Sequence, residues 1–431
     1  MRFPEESEFV SVFGWDEAVY KEALSWIDEK RRVAFVLDRE IESEDPRVKF
    51  YVLESPLQFD GILKKIAWSA VMRKMSVIGP EEFREKLERF HLAAHLILSE
   101  SSDFWESALK NAKANRFSYR KGMELKGAFE GIPALIVGAG PSIEKNGHLL
   151  PEFKNRALIF AGGSSLNVID TEPHFGGSVD AEAPYRQFKM HPFSEIPFCY
   201  QARMNRDNFS LVHGEKLLFP DSSSDAINWL FDEEPFDGGW TVGNFMTAVA
   251  IHMGCSPIIF VGMDLCYQEG QKYARIQANL PDHLIRIGDL MTQKDWLMGA
   301  RWTESLAKGH ELINATEGGI LQLPKKALSS VLESLPEKKD LRKEVHHAIQ
   351  KLPLHQSNGR WHEWDASLFR CKKNIECLDD EVVYHKLLLP LWRIWRPIFE
   401  REVEVDPKQS LELHRKMFFQ TVLESVSRYV G

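Results

Sequence analysis

The residues best suited to chemistry begin at Gly138-Ala-Gly-Pro-Ser142, which follows the short apolar run Ala134 to Val137 and precedes a stretch of helical character. A strand, a glycine turn and a helix start in that order make an anion site. Backbone N–H groups point outward, the helix dipole favours negative charge, and glycine lets a phosphate come close. Pro141 suits the first turn of a helix, and Ser142 suits a cap or a ligand contact. The same turn also serves as plain tight packing between strand and helix. The third glycine of a dinucleotide fingerprint would fall at Lys145, so that motif is incomplete. A second glycine-rich helix entry stands at Gly238-Gly-Trp-Thr-Val-Gly243. Carboxylates follow two further strands, in Ser178-Val-Asp180 and Gly262-Met-Asp264, the latter leading to Tyr267 and Tyr273. Two helix starts and two tyrosine hydroxyls can hold a diphosphate or a nucleotide monophosphate. Asp180 and Asp264 can bind ribose hydroxyls or a metal ion, or take the proton of an acceptor hydroxyl. Each also suits a turn or a cap.

These segments need an α/β frame, because ligands of open parallel sheets collect beyond the carboxyl ends of the strands. From 119 to 323 strands and helices alternate, which predicts a Rossmann-like, mainly parallel sheet. Its expected strands are Ala134–Val137, Ala157–Ala161, Gly177–Val179, Phe198–Ala202, Lys216–Phe219, Pro257–Gly262 and Glu311–Asn314. A helix from Thr241 to Met253, stopped by Gly254, joins two of them. Residues 1–118 read as a small α/β domain with strands at 31–38 and 48–53 and helices near 15–29, 57–75 and 80–114. Residues 324–431 read as a helical region, whose Leu and Trp run at 388–396 suits an interhelical core or a partner or membrane surface.

Composition narrows the classes. With 44% hydrophobic and 11% aromatic residues, 431 residues can bury a large core. A net charge of −9 argues against a nucleic-acid footprint. Five scattered cysteines without a CxxC pair suggest reduced thiols and no zinc site, and none of the 15 histidines has a metal-ligand spacing. No apolar leader core and no stretch near the roughly 20 residues of a bilayer span is expected, so a cytoplasmic protein is expected.

Four segments in order, Gly138–Ser142, Gly239-Trp-Thr-Val-Gly-Asn244, Gly262-Met-Asp-Leu265 and Ile313-Asn-Ala-Thr-Glu-Gly-Gly319, resemble the motility accessory factor (Maf) family. That bacterial group is also related to archaeal 6-hydroxymethylpterin pyrophosphokinases, and its flagellin-modifying members have a core similar to bacterial sialyltransferases. The likeness covers roughly residues 116–323. It implies a nucleotide site built from Gly138, Gly140, Pro141, Ser142, Thr241, Val242, Gly243, Asn244, Tyr267, Tyr273, Asn314 and Glu317. The helix start at Thr241 would contact a cytidine nucleotide, and Tyr267 and Tyr273 its phosphate. Three departures stand out. Ala139 replaces the asparagine that sialyltransferases place in the glycine loop. Asp289 falls where they carry a catalytic histidine. The turn after 161, with Gly163, lacks the acidic residue of many relatives.

Three readings therefore stand. One is a glycosyltransferase using a CMP-activated nonulosonic sugar without an obligatory metal, with Asp180, Asp264 or Asp289 handling the acceptor hydroxyl of a protein Ser/Thr or a glycan. The second is a pyrophosphokinase, with ATP on the glycine loop and magnesium on Asp180 and Asp264. The third is a non-catalytic scaffold of the same fold. An oligomer is compatible with all three.

Overall fold

The computed structural model describes residues 2–43, 45–103, 105–182, 195–268, 271–274, 276–277, 284–337, 340–357, 359–405 and 410–430. They form two compact units, one of residues 1–102 with 389–421 and one of residues 103–388 with 422–431. The C-terminal helical stretch, read from sequence as one region, thus contributes to both.

The first unit carries a parallel sheet of β1 (Phe9–Phe13), β2 (Arg32–Leu37), β3 (Val48–Val52) and β4 (Met75–Ile78), in the order β3-β2-β1-β4. Side chains alternate across a strand, and β2 shows it. Ala34 and Val36 join one apolar cluster with the helix Phe59–Ser69, while Val33, Phe35 and Leu37 join another with Tyr20 and Ala23 of the helix Glu17–Trp26. β1 and β4 had no counterpart among the strands expected from sequence.

In the second unit, β5 (Arg120–Lys121), β6 (Ala134–Val137), β7 (Leu158–Gly162), β8 (Phe175–Ser178), β9 (Phe198–Gln201), β10 (Lys216–Phe219) and β11 (Ile258–Val261) come first. Two small antiparallel pairs follow, β12 (Gln271–Tyr273) with β13 (Ile276–Gln277) and β14 (Ile285–Ile287) with β15 (Leu290–Thr292), and then β16 (Leu312–Asn314). The main sheet has the order β16-β11-β6-β7-β8-β9-β10-β5, every pairing parallel. All seven strands expected for this region form, with ends shifted by at most two residues, and the sheet core is the parallel α/β type read from the sequence. The central strands β6 and β11 are buried along their whole length, which is why they read as unbroken apolar runs.

The chain steps outward from β6 to β10 on one side and then returns to place β11 on the other. The strand order thus reverses between β6 and β11, and the carboxyl ends of strands at such a switch are where ligands of open α/β sheets collect. The helix Val242–His252 lies on the sheet over glycines that leave it room. A Cβ on Gly162 would stand 2.5 Å from Val242 Cγ1 and 2.8 Å from the Gly177 carbonyl oxygen; one on Gly177 would stand 2.2 Å from Met246 Sδ.

Because the Gly177 carbonyl cannot move without breaking the sheet, Gly162→Ala should destabilise the protein by about 1–3 kcal/mol, the usual cost of overpacking. Chemical denaturation would register this as a lower midpoint at constant slope. An unchanged midpoint would contradict this packing.

Candidate functional site

The two loops that leave the switch strands interlock. The Gly140 N–H donates to the Gly262 carbonyl at 2.8 Å, and Cβ atoms on Gly138 and Gly140 would stand 2.2 Å from Gly262 O and 1.8 Å from Asp264 Oδ2. Glycine is demanded here by close approach. Of the two roles expected for Ser142, a cap or a ligand contact, its side chain does not make the cap, and the helix after it is only Ile143–Asn146. Instead its hydroxyl donates to Asp264 Oδ2 at 2.8 Å and its backbone N–H donates to the same oxygen at 3.3 Å. Gln268 Nε2 donates to Asp264 Oδ1. The Ile320 N–H donates to the Asp264 carbonyl at 3.0 Å, and Gly319, at φ +80°, comes so close that a Cβ would meet that carbonyl at 2.3 Å. Asp264 is buried, and burial outweighs these hydrogen bonds and holds its carboxyl above the usual range. Both its oxygens are engaged, so it acts by locking the loops.

The second helix entry is also self-organised. Thr241 Oγ1 accepts from the Asn244 N–H at 3.1 Å, and Asn244 Oδ1 accepts from the Thr241 N–H at 3.1 Å, a reciprocal cap. Asn244 Nδ2 donates to the Gly299 carbonyl at 3.1 Å and to Thr303 Oγ1 at 2.8 Å. Asn244 is thus a buried clamp onto the helix Lys294–Ser305. What this entry presents is the backbone: the first-turn N–H groups of Val242 and Gly243, which no helical carbonyl can take.

Beyond β11 the chain builds a polar and aromatic cluster. The Ala274 N–H donates to the Ala139 carbonyl at 2.8 Å, tying the β12 segment to the glycine loop, and the Tyr267 N–H donates to the Met291 carbonyl at 2.7 Å. Tyr267 and Tyr273 flank Trp296, with ring centroids 5.1 and 6.2 Å away. The Lys272 ammonium lies over Tyr273 and Trp296, 5.4 and 5.5 Å from their centroids. The Tyr267 hydroxyl donates to Gln293 Oε1 at 3.0 Å, and Gln293 Nε2 donates to Asp295 Oδ2 at 3.0 Å. Burial pushes the Tyr273 phenol up to about 12, with the charges of Asp180 and Asp295 adding to the shift and a hydrogen bond with Ser164 opposing it. Burial likewise raises Asp295 above the usual carboxylate range, against the pull of Gln293, the Trp296 backbone and Lys272.

The structure therefore brings Tyr267, Tyr273 and Asp180 into one neighbourhood, tied through Ala139 to the Gly138–Ser142 loop. Asp289 falls elsewhere: it occupies the turn between β14 and β15, its side chain fully exposed and 3.8 Å from Arg286. Asn314 is buried, its amide donating to the Leu321 carbonyl and its oxygen accepting from the Thr316 N–H, each at 3.0 Å. Glu317 is exposed in a left-handed turn at φ +59°, where its carbonyl accepts from Lys145 Nζ at 3.1 Å and its carboxylate from Asn146 Nδ2 at 3.4 Å. Pro141 lies partly exposed between Gly140 and Ser142. Asp295, Lys272, Gln293 and Trp296 escaped the sequence reading. Their signal was the polar pair Gln293 and Asp295 at the start of an amphipathic helix, which composition alone does not separate from an ordinary helix entry.

The family described as 6-hydroxymethylpterin diphosphokinase MptE-like matches residues 106–270. The chain is similar to the structure of the MAf glycosyltransferase from Magnetospirillum magneticum AMB-1, with a TM-score of 0.58 and 15% identity over 98% of this chain and 78% of that one. These two matches bear out the family resemblance read from the motifs, and the second establishes a shared fold. No curated protein matches the sequence. Among the described residues no helix is long and apolar enough to cross a membrane.

A buried carboxyl held above its unfolded-state range favours folding while protonated, and that contribution is lost as pH rises through the folded value. Asp264→Asn should therefore flatten the fall in stability that begins near pH 4, seen by comparing urea midpoints of the two proteins between pH 4 and pH 7. Parallel profiles would mean that Asp264 keeps its ordinary carboxyl in the fold.

Proposed function

We propose that the chain is a glycosyltransferase that takes a nonulosonic, sialic-acid-like sugar activated as its CMP ester. The observation carrying this reading is the fold shared over nearly the whole chain with a protein described as a MAf glycosyltransferase; in this chain the glycine loop at the sheet's switch point is tied through Ala139 to the cluster of Tyr267, Tyr273, Lys272 and Asp295. In this reading the Gly138–Ser142 loop and the Val242 and Gly243 N–H groups cradle the nucleotide. Lys272 and the Tyr273 hydroxyl meet the departing phosphate, where fixed donors count most as negative charge develops. Tyr267 serves the same phosphate only on releasing Gln293. The acceptor hydroxyl, of a protein Ser/Thr or a glycan, passes its proton to Asp295. Its oxygen then forms the new bond at the anomeric carbon as the bond to CMP breaks. Asp295 suits this role better than Asp289, because a carboxyl raised by burial is a stronger base than an exposed one. No metal is required, and a cytoplasmic site of action follows from the same reading.

The family match over residues 106–270 favours a second reading, since it spans the glycine loop, Asp180 and Asp264. There the loop holds ATP, and magnesium on Asp180 and Asp264 supports diphosphate transfer to a hydroxymethyl pterin. Asp264 would first have to give up a hydrogen bond from Ser142 or Gln268.

Thermal unfolding with CMP, CTP and ATP, each with and without magnesium, separates the readings. A ligand at 100 times its Kd stabilises by about 2.7 kcal/mol. The expected result is metal-independent stabilisation by cytidine nucleotides. Stabilisation by ATP with magnesium alone would move the assignment to the pyrophosphokinase, and no response to any nucleotide to a scaffold.

Asp295→Asn should lower sugar transfer by roughly 10²- to 10⁴-fold, the range for a lost general base, while CMP affinity is kept. Asp289→Asn should leave turnover unchanged. The reverse pattern would assign the proton transfer to Asp289.

A further inference from the structure

The first unit holds a cavity of about 40 Å³ between β2, β3, the turn after the helix Phe59–Ser69 and the helix Leu389–Val405. Arg32, Arg47, Lys49, Arg73 and Arg401 line it, facing two carboxylates, Glu400 and Glu404. Those carboxylates are already engaged. Glu404 is shared by Arg32 at 3.5 Å and Lys49 at 3.3 Å, and Glu400 accepts from Arg396 at 2.7 Å. Arg47 is held by Asp45 at 2.5 Å. Among the described residues the Arg401 side chain makes one hydrogen bond, from Nη1 to the Val71 carbonyl at 2.7 Å. Among the described residues the Arg73 guanidinium has no hydrogen-bond or ion-pair partner, while its backbone N–H donates to the Ala70 carbonyl at 2.9 Å. The other charged groups nearby are Glu8, whose carboxylate accepts from the Lys74 N–H at 3.2 Å, and Glu402, whose charge acts on Arg401.

Two guanidinium groups without ion-paired carboxylates of their own thus share a half-buried cavity with three more cations, Arg32, Arg47 and Lys49. This is unfavourable for the empty protein. Burial and the charges of Arg401 and Arg32 bring the Arg73 guanidinium down to about 10, and burial lowers Arg401 as well. Such an arrangement persists at little cost when an anion completes it. A water needs roughly 10–15 Å³ of this kind of volume, so the space admits a small tetrahedral oxyanion. Donors converge from four different elements, which suits a tetrahedral group better than a planar carboxylate, and guanidinium forks pair with phosphate oxygens two at a time.

We propose that this arginine-lined cavity of the first unit is a phosphate site, taking one phosphate group either as the free ion or as the monoester head of a small molecule. Arg73 and Arg401 are its principal contacts.

The test is calorimetric titration of the full chain with inorganic phosphate and with glycerol 3-phosphate, against acetate and chloride at equal ionic strength. Because phosphate can also enter the nucleotide site, each titration is repeated with Arg73→Gln. The expected result is phosphate binding by the wild-type chain that weakens about tenfold or more in the variant. Loss of a charge-assisted hydrogen bond of roughly 1.5–3 kcal/mol has that effect. Without phosphate, the variant should also melt at a higher temperature, since a repulsive buried charge is gone. Tighter binding of glycerol 3-phosphate than of inorganic phosphate would assign the monoester as the ligand, and the reverse order the free ion. Equal heats for wild type and variant, or acetate binding as tightly as phosphate, would overturn the proposal.

Discussion

The contact on which the second unit depends is the closure of the Gly138–Ser142 loop on Asp264. Two glycines give up their side chains so that the loop following β6 can touch the backbone following β11. That approach buries a carboxylate, and an ionised carboxylate taken from water is costly unless it is hydrogen-bonded. Ser142 and Gln268 supply the bonds, and the turn at Gly318 and Gly319 closes the remaining side. The loop conformation, the register of the switch strands and the docking of the β12 segment on Ala139 are then mutually consistent. Moving any one would strand a buried polar group.

This arrangement separates two tasks that a strand-end carboxylate is often asked to perform together. Asp264 locks the frame and has no oxygen left over. Asp295, reached through Gln293 and Tyr267, lies in a half-buried polar chain beside Lys272. Its neighbours can move without unfolding the sheet, and its burial makes its proton affinity tunable. Chemistry belongs on the second kind of group, because a residue whose bonds hold the fold cannot change its protonation without loss of stability. Asn244 repeats the pattern: it follows the second glycine-rich helix entry, yet all its amide capacity goes to the cap and the helix Lys294–Ser305.

Much of the fold was legible beforehand. The strands of the main sheet are short runs buried on both faces, so their apolar character is continuous and their ends are marked by glycine, proline or aspartate. The edge strand β5 and the strands β1 and β4 were not legible. β5 is only two residues long and polar. β1, Phe9–Phe13, includes Ser11, which is fully buried beside apolar neighbours and interrupts the apolar run that would mark a buried strand, although Gly14 closes it; β4 begins at the end of the stretch read as a helix over 57–75.

The sequence by itself determined the parallel α/β frame, the glycines at the strand ends and the helix from Thr241 stopped by Gly254, because strand burial, close backbone approach and helix termination are local demands met by local residue types. Only the tertiary structure decided which polar groups are consumed by the frame and which are left for a ligand. Asp264, Asp289 and Asp295 are chemically identical in the sequence. They differ in that one is buried and doubly bonded, one is open to water on a hairpin turn, and one is half-buried beside a lysine and two tyrosines. The distinction arises from burial and partners brought from distant segments, and no local pattern encodes it.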